Sequence, residues 1–200
     1  EFSNDMWLPG LRRIDPVTLQ TINYIQFASL DDAKHPDITY NRDLRQYLLV
    51  YWQDFFIQGS AVSCAVLDAQ LSQINRIEVY PFMPNLPESY PKAAYGKTTT
   101  NGVDTKVYIV VWDDYRTDSL GDIYYSVIDT AGNTIGVNNL LADGAGYQMM
   151  QDVKSNPVTQ SFLASWVNRK TVSDNGQINA SILGTGYADA ALGKLATMNM

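Results

Sequence analysis

Tyr47-Leu48-Leu49-Val50-Tyr51-Trp52, Val107-Tyr108-Ile109-Val110-Val111-Trp112 and Phe162-Leu163-Ala164-Ser165-Trp166 are three versions of one short apolar run, each closed by a tryptophan. Trp52, Trp112 and Trp166 stand 60 and 54 residues apart. A self-similar period of that size marks an array of supersecondary units. The runs are short, rich in β-branched and aromatic residues, and punctuated by Gly, Pro and Asn, so they predict strands and not helices.

Each run has the same neighbours. Before it lies a strand A: His35 to Asn41, Tyr90 to Gly96, and Met150 to Asn156. The first two of these carry Pro and Tyr at the same offsets, and Pro suits the first residue of a strand, where no ladder bond is lost. After the tryptophan run, strand B, comes a strand C: Ala61 to Leu67, Asp122 to Ile128, and Gln177 to Leu183. Asp68-Ala69-Gln70, Asp129-Thr130-Ala131-Gly132-Asn133 and Gly184-Thr185-Gly186 then supply turn chemistry. A more polar strand D closes each unit: Ile74 to Val79, Val137 to Leu141, and Lys194 to Met198. Upstream, Thr21-Ile22-Asn23 matches Gln73-Ile74-Asn75, and Leu11 to Asp15 matches the end of a strand C. The expected divisions are a trailing half-unit of strands C and D at 1–33 and complete units at 34–88, 89–148 and 149–200.

Four-stranded antiparallel meanders repeated at this period predict an all-β chain of β-propeller blades, about three and a half of them. A string of β-sandwiches would need about seven strands per unit. Three and a half blades leave a ring open, so the chain is expected to be part of a larger propeller or to assemble with further blades or copies of itself. It starts at Glu1-Phe2 without Met and shows no signal peptide, which suits a mature product or an excised piece.

Composition narrows the partners. The chain is 46% hydrophobic and 18% charged, enough to bury a core. A net charge of −7 disfavours a nucleic-acid surface, whose affinity comes mainly from Lys and Arg. No stretch is apolar for long enough to insert in a membrane as a helix. Cys64 is alone in an apolar run, the setting of a buried, inert thiol.

Val111-Trp112-Asp113-Asp114-Tyr115-Arg116, with Asp122-Ile123-Tyr124 and Asp129-Thr130-Ala131-Gly132-Asn133, resembles the V-W-x-D-x-R … D-I-Y … D-x-x-G-N repeat of bacterial extracellular and cell-surface β-propellers. The first unit keeps Trp52 and Asp54; the third keeps Trp166 and Asn168, with Arg169 one place on. The resemblance implies an extracellular or cell-surface location. The repeat, the acidity, the Lys-poor and Asn/Thr/Tyr-rich composition and the lack of a catalytic constellation lead to a non-enzymatic scaffold that binds protein or glycan, and recurrence in each unit makes the tryptophans, Asp54, Asp114 and Asn168 structural repeat positions.

Candidate chemistry is sparse. Asp113, Asp114, Asp118 and Asp122 around Arg116 offer oxygen ligands for Ca²⁺, against a structural reading in which Asp114 caps a turn and Arg116 pairs with Asp122. No other cofactor is expected. Asp37 and Asp152 begin strand A in two units and resemble the axial carboxylates of five-bladed glycosidases, which would make the alternative function a carbohydrate-active enzyme needing two spaced carboxylates. His35, the one histidine, reads as a loop residue. Tyr40, Phe55, Phe56, Tyr95, Tyr115 and Tyr147 read first as inter-blade packing.

Overall fold

Residues that favour extended backbone fill the repeated segments, and Asp and Asn recur where the chain must reverse. The computed structural model describes residues 10–26, 32–55, 59–83, 87–100, 103–116, 119–171, 173, 175–184 and 193–199. It folds them into strands alone. A two-stranded sheet of β1 (Gly10–Ile14) and β2 (Thr21–Gln26) comes first. Three four-stranded antiparallel meanders follow. They are β3 (Asp32–Asn41), β4 (Gln46–Asp54), β5 (Ser60–Leu67) and β6 (Gln73–Met83); β7 (Lys92–Thr100), β8 (Val103–Asp114), β9 (Asp122–Asp129) and β10 (Thr134–Ala142); and β11 (Tyr147–Asn156), β12 (Ser161–Arg169), β13 (Gln177–Gly184) and β14 (Gly193–Asn199). The all-β, four-stranded meander architecture is as the repeat predicts.

Turn chemistry explains the reversals. Asp15, Asp68 and Asp129 each use Oδ1 to accept two backbone N–H groups of the turn that follows strand C. Asn41 and Asn156 do the same after strand A. A short side-chain acceptor at the turn's first residue satisfies N–H groups that the ladder cannot reach. The expected third C–D turn at Thr185 and Gly186 lies outside the described residues.

The sheets stack face against face, with β3 lying against β7 and β7 against β11. Each contact has its own core. Leu11 and Ile25 pack on Leu49, Tyr51, Ala65 and Leu67. Leu48, Val50, Val62 and Cys64 of the first meander meet Tyr108, Val110, Trp112 and Tyr124 of the second. Val107, Ile109 and Val111 on the other face of β8 meet Phe162, Ala164 and Trp166. Strands β4 and β8 are therefore apolar on both faces, because each is covered from both sides.

Side chains tie neighbouring sheets together at equivalent positions. Asn23 Nδ2 donates to Gln70 O at 2.6 Å, and Asn75 Nδ2 donates to Ala131 O at 3.0 Å. Each asparagine thus reaches the C–D turn of the following sheet, and each also accepts the N–H of the next residue on Oδ1. The match between Thr21-Ile22-Asn23 and Gln73-Ile74-Asn75 is thereby a match of contacts as well as of letters.

The tryptophans do not repeat as the sequence implies. In β4, Leu48 and Val50 face the second meander while Leu49 and Tyr51 face β1 and β2. The β4–β5 register runs without a break, so Trp52 shares the face of Val50. Trp112 shares the face of Tyr108 and Val110, toward the first meander. Trp52 and Trp112 line one small cavity from opposite sides, while Trp166 faces the second meander. The first unit is thus displaced by one residue from the other two, and in a strand one residue reverses the facing side. Asp54 follows Trp52 onto the opposite face, whereas Asp114 and Asn168 stay with Trp112 and Trp166.

Candidate functional site

The repeat motif of the second meander is a closed structural unit. Trp112 lies between the Tyr80 and Tyr124 rings, with centroids 6.3 and 6.2 Å away. Its Nε1 donates to Asp114 Oδ2 at 2.9 Å. Arg116 donates to Asp114 from N, Nε and Nη2. Its guanidinium is held between Tyr80 and Tyr124, 3.9 and 4.0 Å from the two centroids. The expected turn cap at Asp114 is present, but Arg116 is gripped by Asp114 itself.

Asp113 is equally committed. It is 2% exposed and accepts from Ser89 Oγ, Tyr90 N and Gln151 Nε2 on Oδ1, and from Tyr115 Oη on Oδ2. Burial and then the Asp113 charge push the Tyr115 hydroxyl above its ordinary range. The calcium reading needs these oxygens for a cation; here they serve as acceptors for protein donors. Asp122 is 6% exposed, and Asp118 and Phe56 lie outside the described residues.

Asp37 and Asp152 are not brought together as an axial pair. Asp37 Oδ2 accepts the Ala93 N–H at 2.9 Å and clasps β3 to β7. Asp152 Oδ1 accepts Val153 N and Lys154 Nζ at 2.8 Å on the far side of β7, in β11. Each carboxylate thus serves a local contact, Asp37 between β3 and β7 and Asp152 within β11.

Sequence reasoning missed the group at the start of the inner strands β3, β7 and β11, through which successive meanders lie against one another. The β3–β4 register breaks between Lys34 and Asp37, and the β11–β12 register breaks between Met149 and Asp152. These are β-bulges. At them His35 and Met150 take φ values of 52° and 56°, in the left-handed region that costs energy for any residue with a Cβ. His35 is therefore a strand residue turned aside by a bulge and not a loop residue. Pro36 lies inside the bulge, whereas Pro91 directly precedes β7.

Four groups converge there. Glu88 Oε2 accepts from His35 Nε2 at 2.9 Å, and Glu88 Oε1 accepts from Lys34 Nζ at 2.7 Å. The Lys34 hydrogen bond, and after it that of His35, holds the Glu88 carboxyl below its usual range. The His35 ring lies 3.9 Å from the Tyr90 ring centroid at a 35° tilt. Lys34 Nζ sits 5.7 Å over Trp52. Asp113 fixes the segment bearing Glu88 through its bonds to Ser89 and Tyr90. Gln151 joins the same anchor from β11, donating to Tyr90 O at 2.6 Å. Its Oε1 is buried without a partner. Strand β3, the segment that precedes β7 and strand β11 thus contribute to one site, in which a half-buried imidazole has one nitrogen on a carboxylate.

A second concavity lies at the other end of those strands. It encloses about 250 Å³ between Tyr40, Arg42 and Asp43 of the first meander, Tyr95, Gly96 and Lys97 of the second, and Ser155, Pro157 and Gln160 of the third.

No protein-family model matches the chain, and no curated protein matches it. The solved structures it resembles include a chimera of apocarotenoid oxygenase and RPE65, at 14% identity and a TM-score of 0.47 over 94% of this chain and 44% of that one. Two single-residue mutants of Synechocystis apocarotenoid oxygenase each give 14% identity and a TM-score of 0.45; one match covers 92% of this chain and 43% of that one, the other 96% and 46%. The chain spans less than half the length of these structures. At such identity and TM-score the likeness transfers no substrate, cofactor or residue role. The structures found to resemble this chain are those of an enzyme, where the sequence led to the expectation of a non-enzymatic protein- or glycan-binding scaffold, and that expectation is not carried further.

Proposed function

We propose that the chain carries an acid–base catalytic centre at the start of its inner strands, with His35 as the proton-transferring group. The observation that supports it is the imidazole–carboxylate pair on a strained bulge. Glu88 is kept ionised, so it accepts from Nε2 and leaves Nδ1 as the imidazole's proton acceptor. A carboxylate that fixes the tautomer and ring plane and steadies the imidazolium is a positioning residue for a general base. The Tyr90 ring limits the rotation of His35, and the Asp113 anchor limits movement of Glu88. The reaction class is activation of water or of another weakly acidic O–H against an activated carbonyl.

The chain's one histidine makes the test unambiguous. The probe is hydrolysis of p-nitrophenyl acetate at neutral pH, with free imidazole at equal concentration as the floor. His35→Gln is expected to lower the rate about 100-fold and Glu88→Gln about 10-fold, both with unchanged strand circular dichroism. A wild-type rate no greater than that of free imidazole, or one that survives His35→Gln, overturns the reading.

A further inference from the structure

We propose that the cleft at the opposite end of the inner strands binds a small organic carboxylate carrying a flat ring. In a chain of net charge −7, this end gathers cations. Lys97 and Lys106 approach the same oxygen, Asp43 Oδ2, at 3.7 and 3.6 Å, which is ion-pair range but too long for a hydrogen bond. The tight contact to that oxygen is the Tyr95 hydroxyl at 2.9 Å. Both ammonium groups are held to Asp43 only at this longer ion-pair range. Arg42 lines the cleft and has no hydrogen-bond or ion-pair partner among the described residues. Among the residues that line the cleft, Arg42 and Lys97 face one carboxylate, Asp43, so the lining carries a surplus of positive charge.

The shape selects within the anions. Tyr40 is 46% exposed at the cleft and leans on Tyr47 with centroids 4.9 Å apart, which fixes its ring as a wall. Gly96 makes the floor: a Cβ there would stand 2.6 Å from Phe162 Cζ and 3.2 Å from Ser155 Cβ. A flat ring fits against Tyr40, with its carboxylate turned to the Arg42 fork, which takes such a group with two parallel bonds. Ser155 and Gln160 add polar groups at the edge. None of these residues belongs to the His35 centre, so either reading can fail alone.

The test is an amide-shift titration of the full chain with three probes: benzoate, benzyl alcohol and inorganic phosphate. Benzoate is expected to saturate with a Kd of about 1 mM or below, moving the amides of Tyr95, Gly96 and Lys97. Benzyl alcohol and phosphate are each expected to bind at least about 10-fold more weakly, since one lacks the charge and the other the ring. Arg42→Gln, at an exposed turn position, is expected to weaken benzoate about 10-fold with no change in melting temperature. Absence of saturation by benzoate, equal binding of either other probe, or indifference to Arg42→Gln overturns the proposal.

Discussion

At the scale of single residues, Asp114 carries the repeat motif. Its side chain is 1% exposed, and Trp112 and Arg116 both depend on it. Asp114→Asn keeps the size but leaves Arg116 between two rings without its counter-charge. Loss of one member of a buried pair costs about 3 kcal/mol or more. The expected outcome is a lower urea midpoint at unchanged slope. Arg116→Lys keeps the charge and loses the planar stacking on both tyrosines, at a cost of about 1 kcal/mol. Cys64 makes a separate prediction. It is 1% exposed, and burial pushes its thiol up to about 12 from an ordinary 9.0. Above that ordinary value the unfolded chain releases a proton that the folded chain retains. Stability therefore falls as pH rises from about 9 toward 12. Melting scans across that range are expected to show the fall, shallower in Cys64→Ala, and Ellman's reagent should find no thiol until urea is added.

At the scale of elements, the strands and turns were legible and their facing was not. β4 and β8 are buried along most of their length on both sides, so their sequences lack the two-residue alternation that tells one face from the other. A tryptophan at the end of such a run looks equivalent in every copy, and Trp52 points the other way. The bulges at His35 and Met150 were hidden for a related reason: Pro36 and Pro91 sit at matching positions, yet one lies within a bulge and the other before a strand. His35 consequently read as a loop residue, and its partner Glu88 carried no motif at all. The cleft was half legible, since Tyr40 and Tyr95 stand out as aromatics while Arg42 and Lys97 look like ordinary turn charges. Gly96 gives the element-scale test. Any side chain there strikes Phe162 of the next meander, so Gly96→Ala is expected to destabilise by about 1–3 kcal/mol through displaced packing between the second and third sheets. Phe162→Leu, which withdraws the ring atoms that the new methyl meets, should recover part of that loss in the double variant. Additive losses in the double variant would show that the two positions do not share the contact.

At the scale of the whole molecule, the stacking of sheets sets which surfaces remain open. The first and second meanders are covered on both sides, whereas β12 alternates between buried and exposed residues. Its uncovered face presents Leu163 at 46% exposure, and β13 adds Ile178 at 52% on the same face, opposite Val167. At the other end of the stack, β1 and β2 turn Leu11 and Ile25 inward and leave Ile14, Ile22 and Tyr24 about half exposed. Both faces repeat the composition of the faces that are covered within the stack. An apolar sheet face of this kind is closed by another sheet or else associates with whatever apolar surface it meets. The chain by itself is therefore expected to bind a hydrophobic dye such as 8-anilinonaphthalene-1-sulfonate and to show a mass by light scattering that rises with concentration. Leu163→Glu with Ile178→Glu should reduce both signals, because charge on an open face opposes its burial. Melting temperature should barely move, since neither side chain belongs to a described core. Dye binding and mass that ignore the double substitution would mean that the third sheet's outer face is not the surface that associates.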